Sequence, residues 1–219
     1  MSEFFSRETL DFLAENRMRN DKTWFNEHKD IYNASVVAPL VSLAGRLTAV
    51  LSEIDGKLSA GSVSRVWRDA RFSKDKSLFR DSMWISVVRK KNEGLPEFFF
   101  VITPSGFLYG CGYYQAGTAS MDEMRKLILS GDEAFKSALS ACENQNIFEI
   151  SGEFYKKPRY SDMPENILNW LNRKNICLER DSDDFDLLFS EKLFDVIAEG
   201  FKILAPVYKF FIKAEESKL

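Results

Sequence analysis

One histidine, His28, occurs in the 219 residues of the chain. That scarcity excludes multi-histidine metal sites and leaves little for imidazole-based acid–base catalysis. The three cysteines, Cys111, Cys142 and Cys177, stand more than thirty residues apart. They form no Cys-x-x-Cys pair, no zinc spacing and no even disulfide count, so reduced thiols are expected. Cys111, between Gly110 and Gly112, has apolar neighbours and no nearby histidine, which would raise its pKa and leave it unreactive. No apolar run approaches the roughly 20 residues of a membrane-spanning helix; stretches such as 98–102 are the longest. The opening Met1-Ser-Glu-Phe-Phe leads into a polar, amphipathic pattern without the basic and then apolar order of a signal peptide. A cytoplasmic protein with no membrane association is expected. Repeats, low-complexity tracts and Gly/Ser linkers are also missing.

What is present is the balance of one folded domain with a sizeable core: 45% hydrophobic residues, 29% charged, and 19 phenylalanines. The net charge is −3, yet residues 65–80 carry Arg65, Arg68, Arg71, Lys74, Lys76 and Arg80 against only Asp69 and Asp75. Such asymmetry argues against a nucleic-acid coat, which needs a basic domain, and for one compact electropositive spot.

Hydrophobic spacing divides the chain into a helical region over 6–56, a strand-rich region over 62–115 and a helical region with short strands over 120–219. Ser6 caps a first helix with Leu10, Leu13 and Ala14 inward. Asn20 or Asp21 caps a second, whose apolar stripe of Trp24, Ile31 and Tyr32 also carries His28, read as a packing residue. Pro39 opens a third, with Leu40, Leu43, Ala44, Leu47, Leu51 and Ile54 inward and Gly56 as its stop. Period-two patterns then predict strands over 63–69, 83–90, 98–103 and 107–114, the last two joined across Pro104-Ser105-Gly106. Phe98 to Phe100 is apolar on both faces, which predicts a central strand covered on each side. Ser120 with Glu123 and Ser130 with Glu133 spell two capping boxes, and Asp162 with Glu165 marks a further helix start. Short strands are expected over 147–156 and 175–180, then an acidic turn at Asp181 and a terminal helical region divided by Pro206. The fold class is α+β, a single domain with an antiparallel meander flanked by helices.

The segment from Arg65 to Arg80 carries the most chemical information. As a strand it puts Arg65, Trp67 and Asp69 on one face and Val66 and Arg68 on the other, so both faces hold a guanidinium that needs an acceptor. Arg68 and Asp69 are therefore expected to be buried and paired. Downstream, Ser73, Lys74 and Lys76 with their backbone N–H groups form a polar loop suited to a phosphate or carboxylate. The alternative is an ion-pair network in which Asp69 and Asp75 clamp the arginines. Gly110 and Gly112 leave a bare patch on a strand, either for close packing or as the floor of a ligand site; Gly-Cys-Gly in a hairpin is no dinucleotide fingerprint. The acidic run 179–186 has Phe185 at a ligand position of a calcium loop and lacks its glycine, so it reads as a solvated turn. Lys156, Lys157 and Arg159 form a second, smaller basic cluster that could face the first. No metal site is expected, and no cofactor is indicated.

The chain resembles the bacterial and fungal family known as domain of unknown function 2461. The resemblance rests on Phe12-Leu13 with Trp24-Phe25 and Tyr32, on Arg68-Asp-Ala-Arg-Phe-Ser-Lys-Asp-Lys76, on Tyr109-Gly-Cys-Gly112, on Arg125 with Ile128, and on Lys156-Lys-Pro158 leading to Pro164. It spans nearly the whole chain, and the central stretch is its most specific part. Where the family continues Lys-Ser-Pro-Tyr-Lys, this chain has Lys76-Ser-Leu-Phe-Arg80, and Met163 replaces a histidine before the proline. The resemblance implies no established reaction.

Two functions follow from the residues. In the first, Arg65, Arg68, Arg71, Ser73, Lys74 and Lys76 hold a phosphate- or carboxylate-bearing small molecule above Gly110 and Gly112, with Asp69 as a weak candidate base. In the second, the basic loop docks an acidic protein or a nucleic-acid backbone without catalysis, with Trp67 and Phe72 as stacking surfaces. A concave pocket around the cations favours the first, and a flat basic face the second.

Overall fold

The computed structural model describes residues 4–71, 73–89 and 94–218. Phe72 and Lys90, which the sequence reading places on the basic loop and at a strand end, lie outside the described residues. Among the described residues, six strands form one antiparallel sheet: β1 (Leu58–Ala60), β2 (Met83–Arg89), β3 (Glu97–Thr103), β4 (Gly106–Gly112), β5 (Glu149–Ser151) and β6 (Cys177–Ser182), in the order β1-β2-β3-β4-β6-β5. β2, β3 and β4 are strands of the expected meander, with β1 rather than residues 63–69 at its edge; β6 then pairs with β4 and carries β5 at the far edge. Helices surround this sheet in a single α+β domain, α1 (Arg7–Arg19), α2 (Lys22–Glu27) and α3 (Lys29–Leu51) before it. After β4 come α4 (Thr118–Leu129), α5 (Glu133–Glu143), α6 (Glu165–Leu171), α7 (Phe185–Leu188), α8 (Leu193–Ile203) and α9 (Ala205–Glu216).

Alternation along β3 sets the sidedness of the sheet. Phe98, Phe100 and Ile102 are fully buried, whereas Phe99 and Val101 are half-buried. Phe98 packs on Phe201 of α8 and Tyr208 of α9 at 5.0 and 4.9 Å between ring centroids, and Phe5 stacks on Phe100 at 5.5 Å. The expectation of cover on both faces is thus corrected: one face carries the core, and the other leaves Trp84, Phe99, Val101 and Leu108 half-exposed. Gly110 sits where β4 and β6 approach closely, and a Cβ there would lie 2.0 Å from the Leu178 carbonyl oxygen.

Several local expectations are also corrected. Pro39 does not open a separate helix. The chain from Lys29 to Leu51 is one long helix containing a π-helical stretch, Tyr32–Val37, just before the proline. A proline ring clashes with the carbonyl four residues back and removes one N–H, and widening the preceding turn relieves that clash. The Ser35 carbonyl, which would pair with residue 39 in a regular α-helix, accepts the buried Thr9 hydroxyl of α1 at 2.7 Å. By length and composition this helix could cross a membrane, contrary to the expectation from apolar runs. Its inner stripe of Val36, Leu40, Leu43, Ala44, Leu47 and Leu51 is buried in the core beside β1 and β2. Further on, α4 begins after Gly117 and α5 is capped by Asp132, so neither Ser120 nor Ser130 acts as a cap. Residues 63–69 form no strand, and the strand that was missed is the three-residue β1. The acidic run extends β6 to Ser182, and Asp184 caps α7 by accepting from the Leu187 N–H at 2.8 Å.

Candidate functional site

Beyond β1 the chain continues along the edge of β2 without a regular ladder. The Gly61 N–H donates to the Ser86 carbonyl at 2.8 Å and the Ser64 N–H to the Trp84 carbonyl at 2.9 Å, while Ser64 Oγ accepts from the Trp84 N–H at 2.9 Å. A β-bridge between Trp67 and Phe79 then closes the basic loop, with Arg68 N–H to Leu78 O and Arg80 N–H to Val66 O, both at 2.8 Å. Phe79 is fully buried and packs, tilted, against Trp67 at 4.5 Å and Phe25 at 5.1 Å, which anchors the neck of the loop in the core.

Asp75 organises the interior of that loop. Its carboxylate accepts from the Ser77 N–H (2.9 Å) and hydroxyl (2.7 Å) and pairs with both Arg68 and Arg17. The Ser77 bonds first, then the two guanidiniums, hold Asp75 well below the usual carboxylate range. Arg17, from the last turn of α1, also donates to the Phe79 carbonyl at 2.7 Å, and Asn20 Oδ1 accepts from the Leu78 N–H at 2.6 Å. Two residues at the end of α1 therefore clamp a loop some sixty positions downstream. Lys76 Nζ is turned onto the Ala70 carbonyl at 2.9 Å, Ser73 Oγ accepts from the Asp75 N–H at 3.2 Å, and Lys74 is exposed.

The groove beside the loop has a volume of about 680 Å³ and is lined by 61–65, Trp67, Arg68, Asp69, Arg71, Arg80, Trp84 and Ser86. It brings Arg65, Arg68, Arg71 and Asp69 together and adds Arg80, Trp84 and Ser86, which the sequence reading did not assign to the site. Ser73, Lys74 and Lys76 are not among its described lining residues, and neither are Gly110 and Gly112. The floor is β2, and the tight pairing with β6 accounts for Gly110. Lys156 belongs to a different groove, of about 750 Å³, with Phe154, Tyr155 and Asn172, where the Arg159 guanidinium lies 3.8 Å from the Tyr155 ring centre. His28 stacks on Trp24 at 4.3 Å and lies on neither groove.

Within the first groove, the expected burial of Arg68 and Asp69 divides. Arg68 is largely covered, but its partner is Asp75; the Asp69 side chain is 55% exposed and bound by Arg71, with Nη2 to Oδ2 at 2.6 Å and Nε to Oδ1 at 2.9 Å. The Arg71 side chain, helped by its backbone N–H, lowers the Asp69 carboxyl to about 2. A carboxylate so far below neutrality is a poor proton acceptor at pH 7, which weakens its claim as a base. The Arg65 side chain is exposed and makes no hydrogen bond or ion pair among the described residues. Arg80 lies over the Trp84 ring at 4.9 Å, and its buried Nε has no hydrogen-bond partner among the described residues.

The fold and groove define a small α+β domain with an arginine-lined cleft between a sheet edge and a clamped loop. A family model described as conserved hypothetical protein (DUF2461) matches residues 8–210, and the chain belongs to that family. No curated protein matches it.

Proposed function

We propose that the groove binds an anionic small molecule bearing phosphate or carboxylate. One observation carries the reading: four guanidiniums, of Arg65, Arg68, Arg71 and Arg80, line a single groove with one carboxylate, Asp69, among its described lining residues. Asp75 and Asp69 neutralise Arg68 and Arg71 in part. Arg65 and Arg80 then supply the uncommitted charge, in the planar fork that matches a phosphate or carboxylate edge. The concave shape and volume fall in the range of small-molecule sites, which favours this reading over docking of a macromolecular backbone. A cytoplasmic setting, with anionic metabolites at hand, accords with it.

The test is a thermal-shift screen of phosphates and carboxylates. A ligand at a hundred times its dissociation constant should stabilise the fold by about 2.7 kcal/mol, which for a domain of this size is a rise of roughly 5 to 10 °C. Lys74→Ala/Lys76→Ala should keep that rise, because neither lysine lines the groove, whereas Arg65→Ala/Arg80→Ala should abolish it. A screen without any salt-sensitive shift refutes the proposal.

A further inference from the structure

The groove holds more than charge. Trp67 is 39% exposed, and Trp84 is half-buried on the floor below Arg80. Phe79 packs on the Trp67 ring at 4.5 Å, Phe25 meets it edge-on at 5.6 Å, and the bridge to Phe79 locks its backbone, while the flexible Lys22 side chain brings its ammonium to 6.0 Å from the ring centre. A rigid indole held partly in water at an anion site adds nothing to the recognition of a bare phosphate ion. It does supply a stacking face to a ligand that carries a ring beside its charge.

Building on the anion-site reading above, we infer that the ligand is a phosphate ester of a planar ring, of the mononucleotide class, with its ring on Trp67 and its phosphate on Arg65 and Arg80. Three features converge on this. The groove, at about 680 Å³, has room for far more than an inorganic anion. Its guanidiniums outnumber its described carboxylates four to one, which suits a phosphate dianion better than a single carboxylate. Arg80 over Trp84 gives the phosphate-binding side its own aromatic backing, leaving Trp67 as the second platform.

The experiment is a calorimetric titration of the full chain with three probes: adenosine 5′-monophosphate, inorganic phosphate and adenosine. The monophosphate should bind on the order of tenfold to a hundredfold more tightly than inorganic phosphate, the range expected of one base stacked on an aromatic side chain. It should also exceed adenosine by at least a similar factor, and Trp67→Leu should bring it down to the affinity of inorganic phosphate. That comparison among ligands needs only the wild-type protein, so a poorly folding variant does not remove the test. Equal affinity for the monophosphate and inorganic phosphate overturns the ring inference while the anion site stands. Adenosine binding as tightly as its monophosphate overturns the inference that phosphate is recognised. Failure of all three probes overturns this inference and, if the wider screen is also silent, the anion site with it.

Discussion

The hydroxyl of Thr9 offers a sharp test of how Pro39 is accommodated. Thr9 is buried on α1, and its Oγ1 donates to the Ser35 carbonyl at 2.7 Å while accepting from the Ser6 N–H at 3.2 Å. Thr9→Val preserves shape and removes both bonds, leaving a buried carbonyl without that donor. An unsatisfied buried acceptor costs about 1 to 3 kcal/mol. In a domain of this size that lowers the melting temperature by roughly 2 to 12 °C. The reasoning makes a second demand. If Thr9 stands in for the N–H that Pro39 lacks, then Pro39→Ala returns a competing donor and Thr9→Val should cost less in that background. A double-mutant cycle by denaturant unfolding measures this coupling, expected at roughly 1 kcal/mol. A Thr9→Val variant within 0.5 kcal/mol of wild type, or an equal cost in both backgrounds, would falsify the account.

Asp55 accepts from Arg89 at 2.5 Å and Tyr208 at 2.9 Å, and Arg89 reaches on to Glu216 at 2.7 Å, which ties β2 to α9. Burial opposes ionisation of Asp55 most strongly, but the Lys57 N–H, Arg89 and Tyr208 together outweigh it and hold the carboxyl below its usual value. A depressed folded-state pKa gives stability that is complete above the unfolded value of about 3.9 and is lost as pH falls through the folded one. Asp55→Asn should therefore cost about 2 kcal/mol near neutrality, discounted from a fully buried pair because Arg89 keeps Glu216. The difference from wild type should shrink below pH 4, and a constant gap from pH 7 to pH 2 would contradict this. Gly45 stands mid-helix on an exposed face where an added Cβ meets nothing within 4 Å, so Gly45→Ala should stabilise by roughly 0.5 to 1 kcal/mol. Gly110→Ala should instead destabilise by roughly 2 kcal/mol or more, because its Cβ meets the Leu178 backbone. Chemical denaturation of both variants distinguishes the two glycines, and opposite signs to these would refute the packing account.

Much of the fold was legible because long, periodic segments report their own burial. The stripe from Leu40 to Leu51 and the alternation in β2 and β3 appear where spacing predicted them, and the break between α4 and α5 lies near Ser130. Missed features depend on partners distant in the chain. β1 is three residues long and exists through pairing with β2; Val63 to Asp69 has a strand's alternation, but among the described residues only Trp67 finds a bridge partner. The two capping boxes were overridden by Gly117 and Asp132, which lie where the chain turns. Of the residues that the cation density around Arg68 singled out, Arg65, Arg68, Arg71 and Asp69 share a groove. Arg17 and Asn20 carried no such signal, since their role depends on a contact 58 residues away. Gly110 and Gly112 misled because a bare strand serves close pairing as readily as a ligand, and sequence spacing does not distinguish the two.

The central claim, that the arginine groove is an anion site, is tested most directly by calorimetric titration of inorganic phosphate into the wild type and Arg65→Ala/Arg80→Ala at low and high salt. The account predicts saturable binding with a stoichiometry of one, weakened by salt and lost in the double variant at unchanged folding. Absence of binding to the wild type, or an affinity that the double substitution leaves untouched, would contradict it.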